Sequence, residues 1–144
     1  MNQSITVETI VNAPIETVWS AWNEPHHIIR WAFASADWEA LDAENDLRVG
    51  GKFKTVMAAK DGSSGFDFTG TYTVVEPNNR IEYDMAIGNG DEAPRHVAIE
   101  FAVTPTGVRV TEIFDPENEN SADMQRAGWQ AILDNFKHYT ESIA

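Results

Sequence analysis

The chain has 144 residues, with 23 acidic and 10 basic side chains, a formal net charge of −13 and no cysteine. This charge argues against nucleic acid and against anionic membranes as partners, because both attract clustered Lys and Arg. The lack of cysteine excludes disulfides, thiolate metal sites and cysteine nucleophiles. We expect one domain over residues 1–144, large enough to bury a core. With no visible signal peptide and no apolar run of membrane-spanning length, a cytoplasmic protein is expected.

The N-terminal part predicts one strand followed by two short helices. Residues 5–11 alternate in polarity and are rich in β-branched side chains, which is typical of a strand. Asn12 is predicted to cap the next helix, with Pro14 in the first turn. That helix has one apolar face, formed by Ile15, Val18, Trp19 and Trp22. A second start signal at Glu24-Pro25 predicts a short helix that carries Ile28, Ile29 and Trp31.

From about Trp38 to Phe114 the apolar side chains recur at every second position, which indicates strands. The strands are separated by turn or loop signals at Asp61-Gly62, Pro77-Asn78-Asn79, residues 88–94 and Pro105-Thr106-Gly107. Short strands joined by tight turns are typical of an antiparallel meander with one apolar face.

A long amphipathic helix is predicted at the C-terminal end. Asn120 or Ser121 is expected to cap it. Its apolar stripe consists of Trp129, Ile132, Leu133, Phe136, Tyr139 and Ile143. Gly128 lies inside this helix, where we expect it to allow close approach to the sheet or to leave room for a bound molecule. The simplest α+β arrangement wraps a curved antiparallel sheet around this helix, with the two short helices after the first strand.

Sequence motifs indicate no catalytic residue, no metal site and no cofactor. The four histidines do not have metal-ligand spacing. Gly62-Ser63-Ser64-Gly65 lacks the spacing of a nucleophile elbow. The stretch 88–93 formally matches a dinucleotide fingerprint, but a strand follows it, whereas that site requires a helix.

The aromatic side chains suggest a ligand cavity, because a long helix over a curved sheet cannot fill all the space between them. The alternative for each of these residues is ordinary core packing. The candidate cavity residues are Trp31, Phe53, Tyr72, Tyr83, Met85, Phe101, Glu112, Trp129 and Leu133. Trp31 could close the mouth with Arg30 at its rim, or it could simply pack beside a solvated Arg30.

Glu112 is the most unusual position, because strand alternation places its side chain on the inward face with the apolar residues Val108, Val110 and Phe114. A buried carboxylate is costly unless it is paired or protonated. One interpretation is that the last strand is bulged or exposed at this position, or that Glu112 has a structural partner. The other is a polar anchor in the cavity with a raised pKa, near the hydroxyls of Tyr72 and Tyr83.

The order of elements resembles the helix-grip fold of the START/Bet v 1-like superfamily. More narrowly, the chain resembles the activator of Hsp90 ATPase homologue 1-like family. The motifs that carry the resemblance are Val11–Trp19, Glu24-Pro25 through Arg30-Trp31, Asp46–Phe53, Gly70-Thr71-Tyr72 and Gly128–Phe136. The resemblance implies a cavity under the last helix that binds apolar small molecules, and in some relatives cyclase or aromatase activity. It supplies no catalytic motif to transfer.

Three functional hypotheses follow. The first is a binding protein for an apolar or aromatic small molecule. The second is a cyclase/aromatase- or hydrolase-type enzyme in which Glu112 and a tyrosine exchange protons. The third is a chaperone-associated interaction protein whose acidic charge steers a basic partner. Both a monomer and a dimer are compatible with the sequence.

Overall fold

The computed structural model describes residues 4–87, 95–117 and 120–144, so the predicted loop 88–94 lies outside the described residues. The described part forms seven strands and three helices. The strands are β1 (Ile5–Val11), β2 (Trp38–Asn45), β3 (Lys52–Ala59), β4 (Gly65–Glu76), β5 (Arg80–Ile87), β6 (Arg95–Thr104) and β7 (Gly107–Phe114). The helices are α1 (Ile15–Asn23), α2 (Pro25–Ile28) and α3 (Ala122–Ile143).

All seven strands belong to one antiparallel sheet in the order β1-β7-β6-β5-β4-β3-β2. Strands β2 to β7 are therefore the predicted meander, and β1 joins it beside β7. One inward row crosses four strands through Val7, Glu112, Ile99 and Ile81. The predicted α+β architecture is confirmed: a curled antiparallel sheet around a long C-terminal helix, with two short helices after β1.

The starts and ends of the short helices differ from the prediction. Pro14 takes the N-cap position of α1 in an extended conformation, and no side chain caps this helix. Asn12 lies too early in the chain to cap it, and its backbone N–H instead donates to Glu141 Oε2 at 2.8 Å. Helix α2 ends at Ile28, so Trp31 lies in the turn that follows. The predicted Asn12 cap and the longer second helix are therefore wrong.

Helix α3 begins as predicted at the Ser121 cap, whose hydroxyl accepts a hydrogen bond from the Met124 N–H at 3.1 Å. Polar side chains of α3 then fasten it to the edge strand β1. Lys137 Nζ donates to the Ile10 carbonyl at 2.7 Å, and Gln130 Nε2 donates to the Glu8 carbonyl at 3.2 Å. These contacts hold α3 along one side of the sheet.

The turn between β6 and β7 depends on Gly107. Its φ is +147°, and a Cβ at this position would lie 2.3 Å from the Val11 carbonyl oxygen. Glycine is therefore required for the end of β1 to approach β7. This approach completes the β1–β7 pairing that carries Glu112.

Candidate functional site

A cavity of about 180 Å³ lies between α3 and the sheet. Strands β3, β4 and β5 supply most of the lining residues that come from the sheet. The lining residues come from every layer of the fold: Trp22, Ile28, Trp31, Ala32, Asn45, Phe53, Thr55, Met57, Phe66, Phe68, Tyr72, Ile81, Tyr83, Glu112, Trp129 and Ile132.

Aromatic rings form most of the wall, and their positions are fixed by other rings. Trp129 stacks on Phe114 with centroids 3.8 Å apart and planes 9° apart. Trp31 lies between Trp22, at 4.9 Å, and Phe136, at 5.0 Å, and its indole N–H donates to the Ala21 carbonyl at 2.9 Å. Such contacts give each ring one orientation, so the cavity wall is preorganised.

Phe53 reaches the cavity because of a glycine in the neighbouring strand. Gly70 is paired with Phe53 in the β3–β4 register, and a Cβ on Gly70 would lie 2.4 Å from the Phe53 ring. The missing side chain lets the ring lie over the strand, where it contacts Tyr83 edge-to-face at 4.8 Å. This packing gives a physical reason for glycine in the middle of β4.

Glu112 is the charged residue in this wall. It is 5% exposed, and its neighbours in the register are Val7 and Ile99. Within the described residues, its carboxyl group has no hydrogen-bond or ion-pair partner. Burial raises the pKa of Glu112 to about 8. The strand carries no bulge here, so the sequence alternative of a bulged position for Glu112 is wrong.

The two cavity tyrosines are in different environments. The Tyr72 hydroxyl donates to Asn45 Oδ1 at 2.5 Å, and Asn45 Nδ2 donates to the Asn23 carbonyl at 2.7 Å. Tyr83 has no such partner in the described part of the chain. Burial raises the pKa of Tyr83 well above its ordinary value, and the charge of Glu112 adds to this effect. Glu112 and the Tyr83 hydroxyl are thus two polar groups on the cavity wall without a hydrogen-bond partner among the described residues.

The structure brings six of the nine predicted site residues to the cavity: Trp31, Phe53, Tyr72, Tyr83, Glu112 and Trp129. The other three are buried but do not line it. Phe101 packs under Trp19 and Trp22 at 5.4 and 5.9 Å. Met85 is 1% exposed opposite Gly70, and Leu133 is 0% exposed in the core. Strand alternation and helical spacing correctly predicted that these three side chains are buried, but could not predict whether they reach the cavity.

Several residues that line the cavity were not among the predicted site residues. Thr55 shares parity with Phe53 and Met57, so a polar residue on this apolar face was a usable signal. Asn45 is at the end of β2, where no periodicity marks it. Arg30 is exposed beside the packed Trp31, which favours the simpler interpretation of that pair.

Gly128 faces unfilled space. A Cβ built on it meets no atom within 4 Å. The expectation that Gly128 allows close approach to the sheet is therefore wrong, and the expectation that it leaves room is compatible with the geometry.

Two further features concern metal ions and membranes. Among the described residues, no three histidine or carboxylate side chains are close enough to hold a metal ion. No helix in the described ranges has both the length and the apolar character needed to cross a bilayer.

Comparisons with known proteins agree with this architecture. Residues 12–141 match the family model described as Activator of Hsp90 ATPase homolog 1-like protein. An AHSA1-like protein from Aeromonas hydrophila, solved by NMR, is 48% identical, with a TM-score of 0.88 over 98% of this chain and 94% of that one. Chr148 from Cytophaga hutchinsonii is 51% identical, with a TM-score of 0.78 over 97% of this chain and 93% of that one.

A more distant structure shows the fold alone. CV1439 from Chromobacterium violaceum is 24% identical, with a TM-score of 0.83 over 98% of this chain and 99% of that one. No curated protein matches the chain.

Proposed function

Because this chain belongs to the Activator of Hsp90 ATPase homolog 1-like family, whose fold typically binds ligands, we propose that it binds one small apolar or aromatic molecule between the sheet and α3. The observation that carries the proposal is the cavity of about 180 Å³ with preorganised aromatic walls. Burial of an apolar ring there contributes roughly 25 cal/mol per Å² of apolar surface removed from water.

The cavity volume favours a ligand of one or two rings. An apolar cavity of about 150 Å³ is enough to hold benzene. Pockets for drug-sized ligands are larger, at about 300–1,000 Å³. The volume of about 180 Å³ therefore favours a small ring compound over a sterol or a long lipid chain.

Indole is a suitable neutral probe, because it matches the size and the aromatic character of the cavity. We expect saturable one-site binding by NMR titration, with the largest shifts at residues around Trp129 and Phe53. Ile132→Trp adds volume to the α3 side of the cavity and should weaken binding by about tenfold or more.

His138→Trp is the matched control, since it adds the same ring to an exposed position of the same helix. It should leave indole binding unchanged. Equal affinity of the wild type and both variants would contradict the proposal, as would no binding of indole to the wild type.

Acid–base catalysis is a second candidate function, favoured by one observation. A carboxyl group with a pKa of about 8 can take up and release a proton near neutral pH, and Glu112 lies on the cavity wall. Its test is turnover of a bound small aromatic ester or ketone by the wild type but not by Glu112→Gln. No contact in the described residues specifically favours the chaperone-associated alternative.

A further inference from the structure

The charge on the cavity wall is of one sign. Glu112 is the charged residue among the described lining residues, and Lys, Arg and His are absent from this set. Within the described ranges, an ionised Glu112 is therefore a buried anion without a counter-ion. Such a group is stabilised strongly by any cation that reaches it, because Coulomb attraction is only weakly screened away from water.

Aromatic side chains line the same cavity as Glu112. Phe114 follows Glu112 by two residues on β7, so both point to the same side of the sheet, and Trp129 stacks on Phe114. Tyr83 is close enough for the charge of Glu112 to affect its pKa. A cation beside Glu112 would thus share the cavity with the rings of Trp129 and Tyr83, and cation–π attraction to a ring face would add to the ion pair.

We propose that the cavity selects small arylalkyl amines, such as benzylamine, in their ammonium form, with the ring among the aromatic walls and the N–H groups donating to the Glu112 carboxylate. This inference rests on the proposed ligand-binding function and specifies its ligand class. A neutral apolar ligand leaves Glu112 without a partner, and an aromatic carboxylate is repelled by it. The net charge of −13 adds a long-range preference for cations.

The groups packed around Glu112 support a simple pH dependence. Strands β1 and β6 present Val7 and Ile99, which do not titrate. Strands β4 and β5 present Tyr72 and Tyr83, and burial raises the pKa of each above its ordinary value. Helix α3 presents Trp129 and Ile132. Among these facing side chains, Glu112 is therefore the group that changes charge between about pH 6 and pH 8.5.

The test uses three probes of nearly equal shape: benzylamine, benzyl alcohol and benzoate. Each is titrated calorimetrically into the wild type at pH 8.5 and pH 6, and benzylamine remains an ammonium ion at both. At pH 8.5 we expect benzylamine to bind about tenfold or more tightly than benzyl alcohol, and benzoate not to bind. At pH 6 the affinity for benzylamine should fall about tenfold or more, because Glu112 takes up a proton, whereas benzyl alcohol should change little.

Two variants test whether the Glu112 carboxylate causes the preference for benzylamine. Glu112→Gln should remove the preference for benzylamine over benzyl alcohol and the pH dependence of benzylamine binding. Glu8→Gln removes one negative charge from the exposed side of neighbouring β1 and should retain the preference. Thermal unfolding monitored by circular dichroism confirms that each variant is folded.

The outcomes separate this inference from the broader proposal. If indole and benzyl alcohol bind but benzylamine is not preferred, the amine inference is wrong and the binding function stands. If Glu112→Gln keeps the preference, the inference is also wrong. If neither indole nor any of the three probes binds the wild type, both proposals are wrong.

Discussion

Replacing Glu112 with glutamine should change the pH dependence of stability. The carboxyl group titrates with a pKa of about 8 in the folded protein, compared with the ordinary value of 4.5 that applies to the unfolded chain. Below about pH 4.5 the group is protonated in both states and has no linked effect. As the pH rises from about 4.5 to 8, the folded state retains a proton that the unfolded state has released, so the wild type progressively loses stability.

The size of the effect follows from the same two values. The difference between 8 and 4.5 is about 3.5 pH units, and each unit corresponds to about 1.4 kcal/mol. The destabilisation of the wild type above pH 8 is therefore at most about 5 kcal/mol, a large part of the roughly 5–15 kcal/mol typical of a folded domain. Glutamine has nearly the same shape and no charge, so Glu112→Gln should lack this loss.

Urea denaturation at intervals from about pH 5 to pH 9 measures the difference in unfolding free energy between the two proteins. We expect the variant to gain stability relative to the wild type as the pH rises, with a plateau above pH 8. Burying the amide of glutamine can add a difference in unfolding free energy that is the same at every pH. The prediction concerns only the part of the difference that changes with pH. Other titrating groups such as His96 contribute to both proteins and cancel.

Glu8→Gln is the matched control because Glu8 is exposed on the neighbouring strand. It should show no comparable rise. A flat difference between wild type and Glu112→Gln across the whole range would refute the reasoning, since it would mean that Glu112 titrates alike in the folded and unfolded states.

Three further substitutions test the fold around the cavity, each measured as the free energy of unfolding in urea. Gly128→Ala should stabilise by about 1 kcal/mol, because alanine is the better helix former and its Cβ meets no atom within 4 Å; a loss would mean that this space is occupied. Gly107→Ala should destabilise by about 2 kcal/mol or more, given its φ of +147° and the Val11 carbonyl in the way, and a neutral result would contradict that geometry. Ser121→Ala should cost about 1 kcal/mol through loss of the α3 cap, unlike Ser121→Asp, which keeps an acceptor and should cost little.

The sequence predicted the order of elements well because each one buries a single face. Strand β1 begins and ends where the alternation begins and ends, at Ile5 and Val11. The predictions failed where a boundary depends on one hydrogen bond. Asn12 has the side chain of a helix cap, but Pro14 holds the N-cap position and Asn12 contacts α3 across the fold instead.

The candidate site was predictable as a face of the sheet but not as a volume. Glu112 could be predicted because it is a charged residue among the alternating apolar positions of β7, and this signal requires no information from other strands. Whether Phe101 or Phe53 reaches the cavity depends on what covers each ring. Trp19 and Trp22 lie against Phe101, whereas Gly70 leaves Phe53 room at the wall. Such contacts join residues far apart in the chain. The expectation of a single domain over residues 1–144 stays a prediction.

Three of the five tryptophans, Trp22, Trp31 and Trp129, lie on the cavity wall. Indole emission depends on the polarity and charge of its immediate surroundings, so the protein carries an intrinsic optical reporter at the place where a guest would lie. Occupancy and ionisation of Glu112 should each alter the fluorescence without any attached dye. Large compound collections could therefore be screened on the unlabelled protein by its own ultraviolet emission.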